Sequence, residues 1–229
     1  MSPAPKTALI AGASGLVGSY CLRLLLQSER YAKVIAIGRS ALPMQHPKLE
    51  QLIVDFNRLD NYRHSLIADD IYCCLGTTIK QAGSRENFYL VDFTYVKKLA
   101  AITSANFASQ FLVVSSLGAN AQSPIFYNKV KGQMEEAVKP MPFLAVHIFQ
   151  PSLLLGPRPQ KRPGEKLAQL ILPRLNFILL GPLKKYRPVA AENVAKAMLH
   201  AAMQDGAGVC LHPSDQIDQE AEEMNFFSP

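Results

Sequence analysis

A glycine-spaced turn between an apolar run and a helical stretch constrains the fold of this chain more than any other feature. The turn spans residues 12–18, follows the run 7–11 and leads into 19–27. Glycines let a backbone turn tightly and approach a pyrophosphate, while unpaired amides and the positive end of the helix face the anion. The pattern therefore predicts a dinucleotide-binding turn, whose candidate contacts are Gly12, Ala13, Ser14, Gly15, Leu16, Val17 and Gly18.

Short apolar runs alternate with helical patterns along most of the 229 residues. The predicted strands are 7–11, 33–37, 51–54, 71–75, 110–115 and 144–150, and the predicted helices between them are 19–27, 88–105 and 127–138. Continuous apolar strands separated by helices are typical of a parallel sheet covered on both faces. We therefore expect one doubly wound, Rossmann-type α/β domain over residues 1–229, with the cofactor at the carboxyl ends of the strands.

Prolines interrupt this rhythm after residue 150. We expect residues 151–189 to form most of a small C-terminal substrate lobe, followed by a helix at 191–204 and a short strand at 209–211. The acidic segment 215–223 is expected to fray or to pack loosely.

Composition argues against several classes of protein. The net charge is +6, but Lys and Arg are scattered rather than gathered into a stripe, so no nucleic-acid partner is expected. The five histidines and four cysteines show no metal-ligand spacing, and we expect no metal and four reduced cysteines. A redox role for the adjacent Cys73 and Cys74 is the alternative. The first residues lack the pattern of an export signal, so a cytoplasmic protein is expected.

Arg39 and Ser40 follow the second predicted strand, where an NAD-selective fold usually places Asp or Glu to bind the adenosine ribose. A guanidinium can pair with a 2′-phosphate through two hydrogen bonds. The position therefore predicts a preference for NADP(H) over NAD(H). A solvent-facing arginine after a glycine turn is the alternative.

The next two strand ends supply further candidate contacts to the cofactor. Asp55 can accept a hydrogen bond from the adenine amino group and Phe56 can line the pocket, although a plain turn would explain both residues. The fourth strand ends in a closely approaching backbone and two hydroxyls expected near the nicotinamide ribose: Leu75, Gly76, Thr77 and Thr78.

Tyr127 and Lys131 are four residues apart and share one face of a predicted helix. An adjacent ammonium favours the phenolate, so Lys131 would activate Tyr127 as a general acid or base. Ser116, which ends the preceding strand, would hydrogen-bond a substrate oxygen; Ser115 is the other choice. The set predicts carbonyl reduction or alcohol oxidation with a hydride carried by the cofactor. In the alternative, Tyr127 and Lys131 only cover the sheet and solvate one face of the helix.

The glycine spacing and the Tyr127–Lys131 pair with its upstream serine resemble the short-chain dehydrogenase/reductase superfamily. Residues 74–78, 127–132 and 150–158 are more narrowly similar to its atypical branch around Tat-interacting-protein-like oxidoreductases. The resemblance implies NADP(H) at the glycine turn and Arg39, catalysis by Ser116, Tyr127 and Lys131, with Lys131 also contacting the cofactor, and Pro151 and Ser152 beside the nicotinamide. Extended members often place asparagine in the active-site region of the long helix, where this chain has Asp92. A carboxylate near Lys131 would alter the proton relay; the alternative is that Asp92 only caps or solvates a helix.

The segment 167–183 is strongly apolar but is interrupted by Pro173 and Arg174, so it does not predict a transmembrane span. A substrate lid, a subunit contact and a weak attachment to a membrane surface through Lys184 and Lys185 stay open beside ordinary packing.

These patterns together predict an NADP(H)-dependent oxidoreductase that interconverts a carbonyl and an alcohol on a small, partly apolar substrate. A non-catalytic NADP(H) sensor that binds a protein partner is the alternative, and a membrane-associated scaffold is a weaker one. The chain is expected to be a monomer or a homodimer.

Overall fold

The structure, a computed structural model, describes residues 5–156 and 181–226. Seven strands form one parallel sheet in the order β3-β2-β1-β4-β5-β6-β9, and β7 pairs with β8. The predicted doubly wound, Rossmann-type fold is confirmed. The strands are β1 (Lys6–Ala11), β2 (Tyr31–Gly38), β3 (Leu49–Ile53), β4 (Asp70–Cys73), β5 (Gln110–Val114), β6 (Ala145–Gln150), β7 (Leu154–Leu155), β8 (Val189–Ala190) and β9 (Gly208–Pro213).

Helices cover both faces of the large sheet. The α-helices are α1 (Leu16–Gln27), α2 (Ile79–Ala82), α3 (Arg85–Tyr89), α4 (Val96–Ala105), α5 (Phe126–Val138), α6 (Ala191–Met203) and α7 (Ser214–Phe226). Two 3-10 helices span Phe56–Ser65 and Gly181–Tyr186, and a π-helical segment, Leu90–Tyr95, joins α3 to α4.

Two hydrophobic cores follow from the alternation of side chains along each strand. In β1, Ala8 and Ile10 belong to the core with α1, α6 and α7, whereas Leu9 and Ala11 belong to the core with α4 and α5. Because residues 8–11 of β1 are buried on both faces, this part of the strand is continuously apolar.

The strand order reverses beside β1, because β2 and β3 lie on one side of it and β4 to β6 on the other. In an open α/β sheet, the loops at such a reversal diverge and leave a crevice at the carboxyl ends of the strands. The glycine turn after β1 is therefore placed at this crevice by the topology.

Two predicted elements differ from the structure. The helix expected at 88–105 is divided into α3, the π-helical segment and α4. The expectation of a loose acidic end at 215–223 is wrong: α7 occupies it, with Ile217 and Ala221 buried, and Asp218 accepts a hydrogen bond of 2.8 Å from Asn193. The apolar positions of α7 recur every three to four residues, which is enough to dock an otherwise charged helix.

Most of the predicted substrate lobe lies outside the described residues. Of 151–189, the structure describes the stretch to residue 156 and the residues from 181 onward. Residues 157 and 158 of the family-like stretch, and most of the apolar segment 167–183, are among those it does not describe. No helix in the described part of the chain is long and apolar enough to cross a membrane.

Candidate active site

A groove of about 840 Å³ runs along the carboxyl ends of β1 to β4. It brings together residues predicted from four separate turns. The predicted contacts that line it are Gly12, Ala13, Ser14, Gly15, Arg39, Ser40, Asp55, Phe56, Leu75, Gly76 and Thr77.

Gly12 allows the first turn to lie directly against the end of β4. Its φ is +85°, and a Cβ there would be 2.5 Å from the carbonyl oxygen of Cys74. No other residue fits this position without moving the backbone. The turn closes with a hydrogen bond of 2.9 Å from the N–H of Gly15 to the carbonyl oxygen of Gly12.

The amino end of α1 is suited to an anion. No side chain of the described residues caps it, and its first turn contains no acidic residue. Within residues 5–156 and 181–226, its free N–H groups and the positive end of its dipole are therefore uncompensated. Val17 and Gly18 are buried within α1, and a Cβ on Gly18 would be 2.1 Å from the carbonyl oxygen of Gly12. Among the predicted contacts, these two serve the packing of the helix against the turn, and Leu16 is outside the groove lining.

At the other end of the groove, Arg39 is exposed after β2, and an aromatic pair lies nearby. The rings of Phe56 and Tyr95 are 5.4 Å apart, and Tyr95 donates a hydrogen bond of 2.8 Å to the Asn57 side chain. Burial is the main cause that raises the pKa of Tyr95. Asp55 lines the groove and also caps the 3-10 helix by accepting a hydrogen bond from the N–H of Asn57.

Tyr127 and Lys131 occupy the first two turns of α5. The ring of Tyr127 packs against Phe88 with 5.4 Å between centroids, and Lys131 is buried. Nζ of Lys131 donates to the carbonyl oxygen of Val114 at 3.3 Å, at the end of β5 and two residues before Ser116. The two predicted catalytic elements therefore meet at the end of β5.

The two adjacent serines after β5 have different surroundings. Ser115 donates a hydrogen bond to the buried carboxylate of Glu135. Ser116 is 8% exposed, and its Oγ has no hydrogen-bond partner among residues 5–156 and 181–226. The geometry therefore distinguishes the two candidates, because only the Ser116 hydroxyl lacks a partner among the described residues.

Lys131 forms a buried ion pair with Asp92, in which Nζ and Oδ1 are 2.8 Å apart. Burial would lower the pKa of Lys131, but the charges of Asp92 and Tyr127 outweigh it and raise this pKa above 10.5. Asp92 therefore neither caps a helix end nor faces solvent. Its partner lies 39 positions away along the chain, a contact that local sequence patterns do not reveal.

Seven predicted cofactor contacts lie outside the groove lining: Leu16, Val17, Gly18, Thr78, Lys131, Pro151 and Ser152. Thr78 caps α2 by accepting a hydrogen bond from the N–H of Gln81. Pro151 is buried, and Ser152 donates its hydroxyl to the carbonyl oxygen of Arg187. The described geometry thus gives Thr78 and Ser152 structural partners.

The groove also includes residues that we did not predict from the sequence. Six of them come from α2, α3 and the π-helical segment, whose packing over the groove has no short sequence signature: Gln81, Ala82, Asn87, Leu90, Val91 and Tyr95. The Gly83 and Ser84 boundary before α3 is the one local signal that a helix begins here.

The described residues contain no group of three or more His, Cys, Asp or Glu side chains arranged for a metal ion. All four cysteines are free thiols. Cys21 and Cys73 are buried, and burial raises the pKa of the Cys73 thiol to about 12. Cys73 is therefore poorly suited to thiolate chemistry.

Residues 8–210 match the NAD dependent epimerase/dehydratase family. The chain belongs to this family. It is 38% identical over 168 residues to Protein HTATIP2 of Rattus norvegicus, covering 72% of this chain and 69% of that protein. These two matches confirm the expected atypical branch of the short-chain dehydrogenases/reductases.

A second relative and a solved structure extend over more of the chain. Protein FMP52, mitochondrial, of Debaryomyces hansenii is 30% identical over 200 residues, covering 86% of this chain and 87% of the relative. The structure of MoeE5 in complex with UDP-glucose and NAD superposes with a TM-score of 0.68 at 17% identity, covering 96% of this chain and 82% of MoeE5. The structural likeness shows that the two proteins share the doubly wound fold. Cytoplasmic location and oligomeric state stay predictions.

Proposed function

We propose that this member of the family is an NADP(H)-dependent oxidoreductase that interconverts a carbonyl and an alcohol on a small, partly apolar substrate. The observation that carries the proposal lies at the end of β5, where the buried Ser116 hydroxyl, which has no partner among the described residues, meets Lys131. Lys131 is electrostatically coupled to Tyr127. A protein that only sensed the nucleotide would need no such proton-transfer set. The geometry therefore favours an enzyme over a sensor.

The shape and the polar groups of the groove fit a dinucleotide. The turn at Gly12 brings backbone close to the end of β4, and the amino end of α1 offers unpaired N–H groups to a pyrophosphate. Phe56 would line the adenine end, and Gly76 and Thr77 the ribose of the nicotinamide end. The volume of about 840 Å³ falls within the usual range for ligand sites.

A bound nicotinamide nucleotide would supply or accept the hydride. Ser116 would hydrogen-bond the reacting oxygen and orient it. Tyr127 would give that oxygen its proton in reduction or take it in oxidation, and Lys131 would keep a positive charge beside the phenol. Packing against Phe88 restricts the Tyr127 ring and favours one orientation for proton transfer.

Turnover by a panel of carbonyl compounds with NADPH tests this proposal. Tyr127→Phe should lower turnover by at least about 100-fold, because it removes the transferred proton and keeps the ring that packs on Phe88. NADPH affinity should change little. Tyr20→Phe, on α1, is the matched control and should keep full activity. Full activity of the Tyr127 variant would reject the catalytic assignment.

The proposed preference for NADP(H) rests on Arg39, which lines the groove after β2 where an NAD-selective site would have a carboxylate. Arg39→Ala should weaken NADPH binding by about tenfold or more and leave NADH binding almost unchanged. Arg63→Ala removes an exposed arginine from the 3-10 helix and serves as the charge-matched control. An equal loss for both nucleotides would reject the preference.

A further inference from the structure

Asp92 joins two parts of the candidate site that are distant in the sequence. Its Oδ1 is 2.8 Å from Nζ of Lys131 on α5, and its Oδ2 accepts a hydrogen bond of 2.9 Å from the backbone N–H of Thr77. Only 1% of the Asp92 side chain and 5% of the Lys131 side chain are exposed. Gly76 lies beside the pair, since a Cβ there would be 3.5 Å from Oδ1 of Asp92. One carboxylate therefore connects the groove backbone to the lysine.

The helix that contains Asp92 has an unusual local geometry. Asp92 lies in the π-helical segment Leu90–Tyr95, and it is the buried residue of that segment. A π segment changes the helical register, so the side chains after it are rotated relative to those before it. Such segments are rare and occur frequently at functional sites.

The charge of Lys131 depends on few neighbours. It faces Asp92 from the π-helical segment, Tyr127 from its own helix and Cys73 from β4. Burial alone would lower the pKa of Lys131, and Asp92 is the largest cause that raises it. The Cys73 thiol has its pKa raised to about 12 by burial and is neutral near pH 7. Among the described residues, the carboxylate of Asp92 therefore contributes most to keeping the buried ammonium charged.

Stability alone is a poor reason for such a pair. The cost of removing two charges from water often exceeds their attraction, and an apolar pair of similar volume is frequently as stable. An ammonium has three N–H donors. Within the part of the chain that the structure describes, Nζ of Lys131 contacts Asp92 and the carbonyl oxygen of Val114, which leaves one donor for a ligand.

We propose that Asp92 is a positioning residue, which holds Lys131 protonated beside Gly76 and Tyr127 and so sets the charge available to the proton-transfer pair. The role of Asp92 in turnover rests on the proposed oxidoreductase function, whereas its effect on the charge of Lys131 is tested independently. Asparagine at this position keeps a side-chain oxygen for the N–H of Thr77 and removes the charge. Asp92→Asn therefore isolates the electrostatic role.

The first test follows the charge of Lys131 without nucleotide or substrate. The ¹³C resonance of its ε-methylene group, assigned with Lys131→Met, is titrated in the wild type and in Asp92→Asn. The midpoint for Lys131 should fall by at least about one pH unit in the variant, because burial remains and the opposing carboxylate is gone. Glu136→Gln removes one exposed carboxylate from α5 and should leave the midpoint unchanged. An unchanged midpoint in Asp92→Asn would overturn the proposal.

The second test is the pH profile of NADPH-dependent turnover. Loss of the negative charge beside Lys131 lets this buried ammonium release its proton at lower pH. The limb of the profile that reports Lys131 should therefore move to lower pH by about one unit in Asp92→Asn. A profile identical to the wild type, with only the Tm lowered, would assign Asp92 a structural role and overturn the proposal. Absence of turnover in the wild type would instead reject the proposed function. The titration of Lys131 would still show whether Asp92 keeps this lysine protonated.

A double variant keeps the proposal testable if Asp92→Asn does not fold. Lys131→Met with Asp92→Asn removes both charges and should be more stable than either single variant, because each single variant leaves one buried charge unpaired and the double variant leaves none. If Asp92 acts through Lys131, adding Asp92→Asn to Lys131→Met should change NADPH affinity by less than about twofold. A larger further loss of affinity would show that Asp92 acts by another route.

Discussion

Glu135, which lies on the buried face of α5, accepts a hydrogen bond from the buried hydroxyl of Ser115. The same carboxylate accepts two hydrogen bonds, of 2.9 and 3.0 Å, from the Gln150 side chain at the end of β6. Ser115 is therefore part of a polar link between β5, β6 and α5. The next residue, Ser116, takes no part in that link, and its Oγ has no hydrogen-bond partner among the described residues.

Ser116→Ala should separate activity from stability. Turnover should fall by about 100-fold because the reacting oxygen loses its orienting donor. The free energy of unfolding should change by less than about 0.5 kcal/mol, since no hydrogen bond within the described chain is broken. Steady-state kinetics and urea unfolding of the same preparation check both expectations.

Ser115→Ala should have the opposite effect. Removal of its hydroxyl leaves the buried Glu135 carboxylate with one partner fewer, which costs about 1–3 kcal/mol. Turnover per folded molecule should stay within about threefold of the wild type, because Ser115 faces away from the site. A large loss of turnover at unchanged stability would reverse the assignment of the two serines.

Gly12→Ala and Gly83→Ala form a matched pair for the glycine turn. Both residues have a positive φ, +85° and +79°, but only at Gly12 would a Cβ meet backbone, at 2.5 Å from Cys74. Gly83→Ala should cost about 1–2 kcal/mol from φ strain alone. Gly12→Ala should cost at least about 2 kcal/mol more, because the turn must move away from β4. Urea unfolding gives both values.

NADPH affinity is a second measurement that should distinguish Gly12→Ala from Gly83→Ala. Displacement of the turn in Gly12→Ala should remove most of the affinity, whereas Gly83→Ala should keep it. Equal affinities in the two variants would show that the close approach of Gly12 to β4 is not needed to hold the nucleotide.

The fold was largely predictable because its signals are local. Buried parallel strands are continuously apolar, and the glycine turn marks the point where β1 passes into α1. Strand boundaries shifted by only one or two residues, as at Leu49–Ile53 against the predicted 51–54. Arg39 and Gly76 could be predicted as groove residues because each follows the carboxyl end of a strand, and in a parallel sheet these ends lie at the same edge.

The features that escaped prediction depend on contacts between distant segments. Nothing in the local pattern around Asp92 indicates a π-helical segment or a partner on α5. The acidic composition of α7 concealed the short apolar stripe that docks it through Ile217. In both cases the packing of one helix on another decides the outcome, and periodicity in a single segment does not report it.

Gly132→Ala should destabilise the protein although alanine is normally better than glycine inside a helix by about 1 kcal/mol. A Cβ at Gly132 would be 2.1 Å from the backbone nitrogen of Ala121 and 2.2 Å from the carbonyl carbon of Asn120. The segment between Ser116 and α5 would have to move, and we expect a net loss of about 2 kcal/mol or more together with reduced turnover. Gln133→Ala, the next position of α5, should be close to neutral. A stabilised Gly132 variant in thermal unfolding would contradict this packing.

A buried histidine pair should make stability depend on pH. Nδ1 of His147 is 3.0 Å from Nε2 of His212, whose Nδ1 is 2.7 Å from Glu220. Burial, and then the charge of His212, lower the pKa of His147 to about 4 from 6.5. The unfolded chain therefore binds more protons than the native protein in this window, so stability is full above pH 6.5 and falls as the pH drops towards 4. The loss should total about 3 kcal/mol by urea unfolding. His147→Gln should flatten the dependence and the exposed His64→Gln should keep it, whereas equal slopes in all three proteins would assign the effect to other groups.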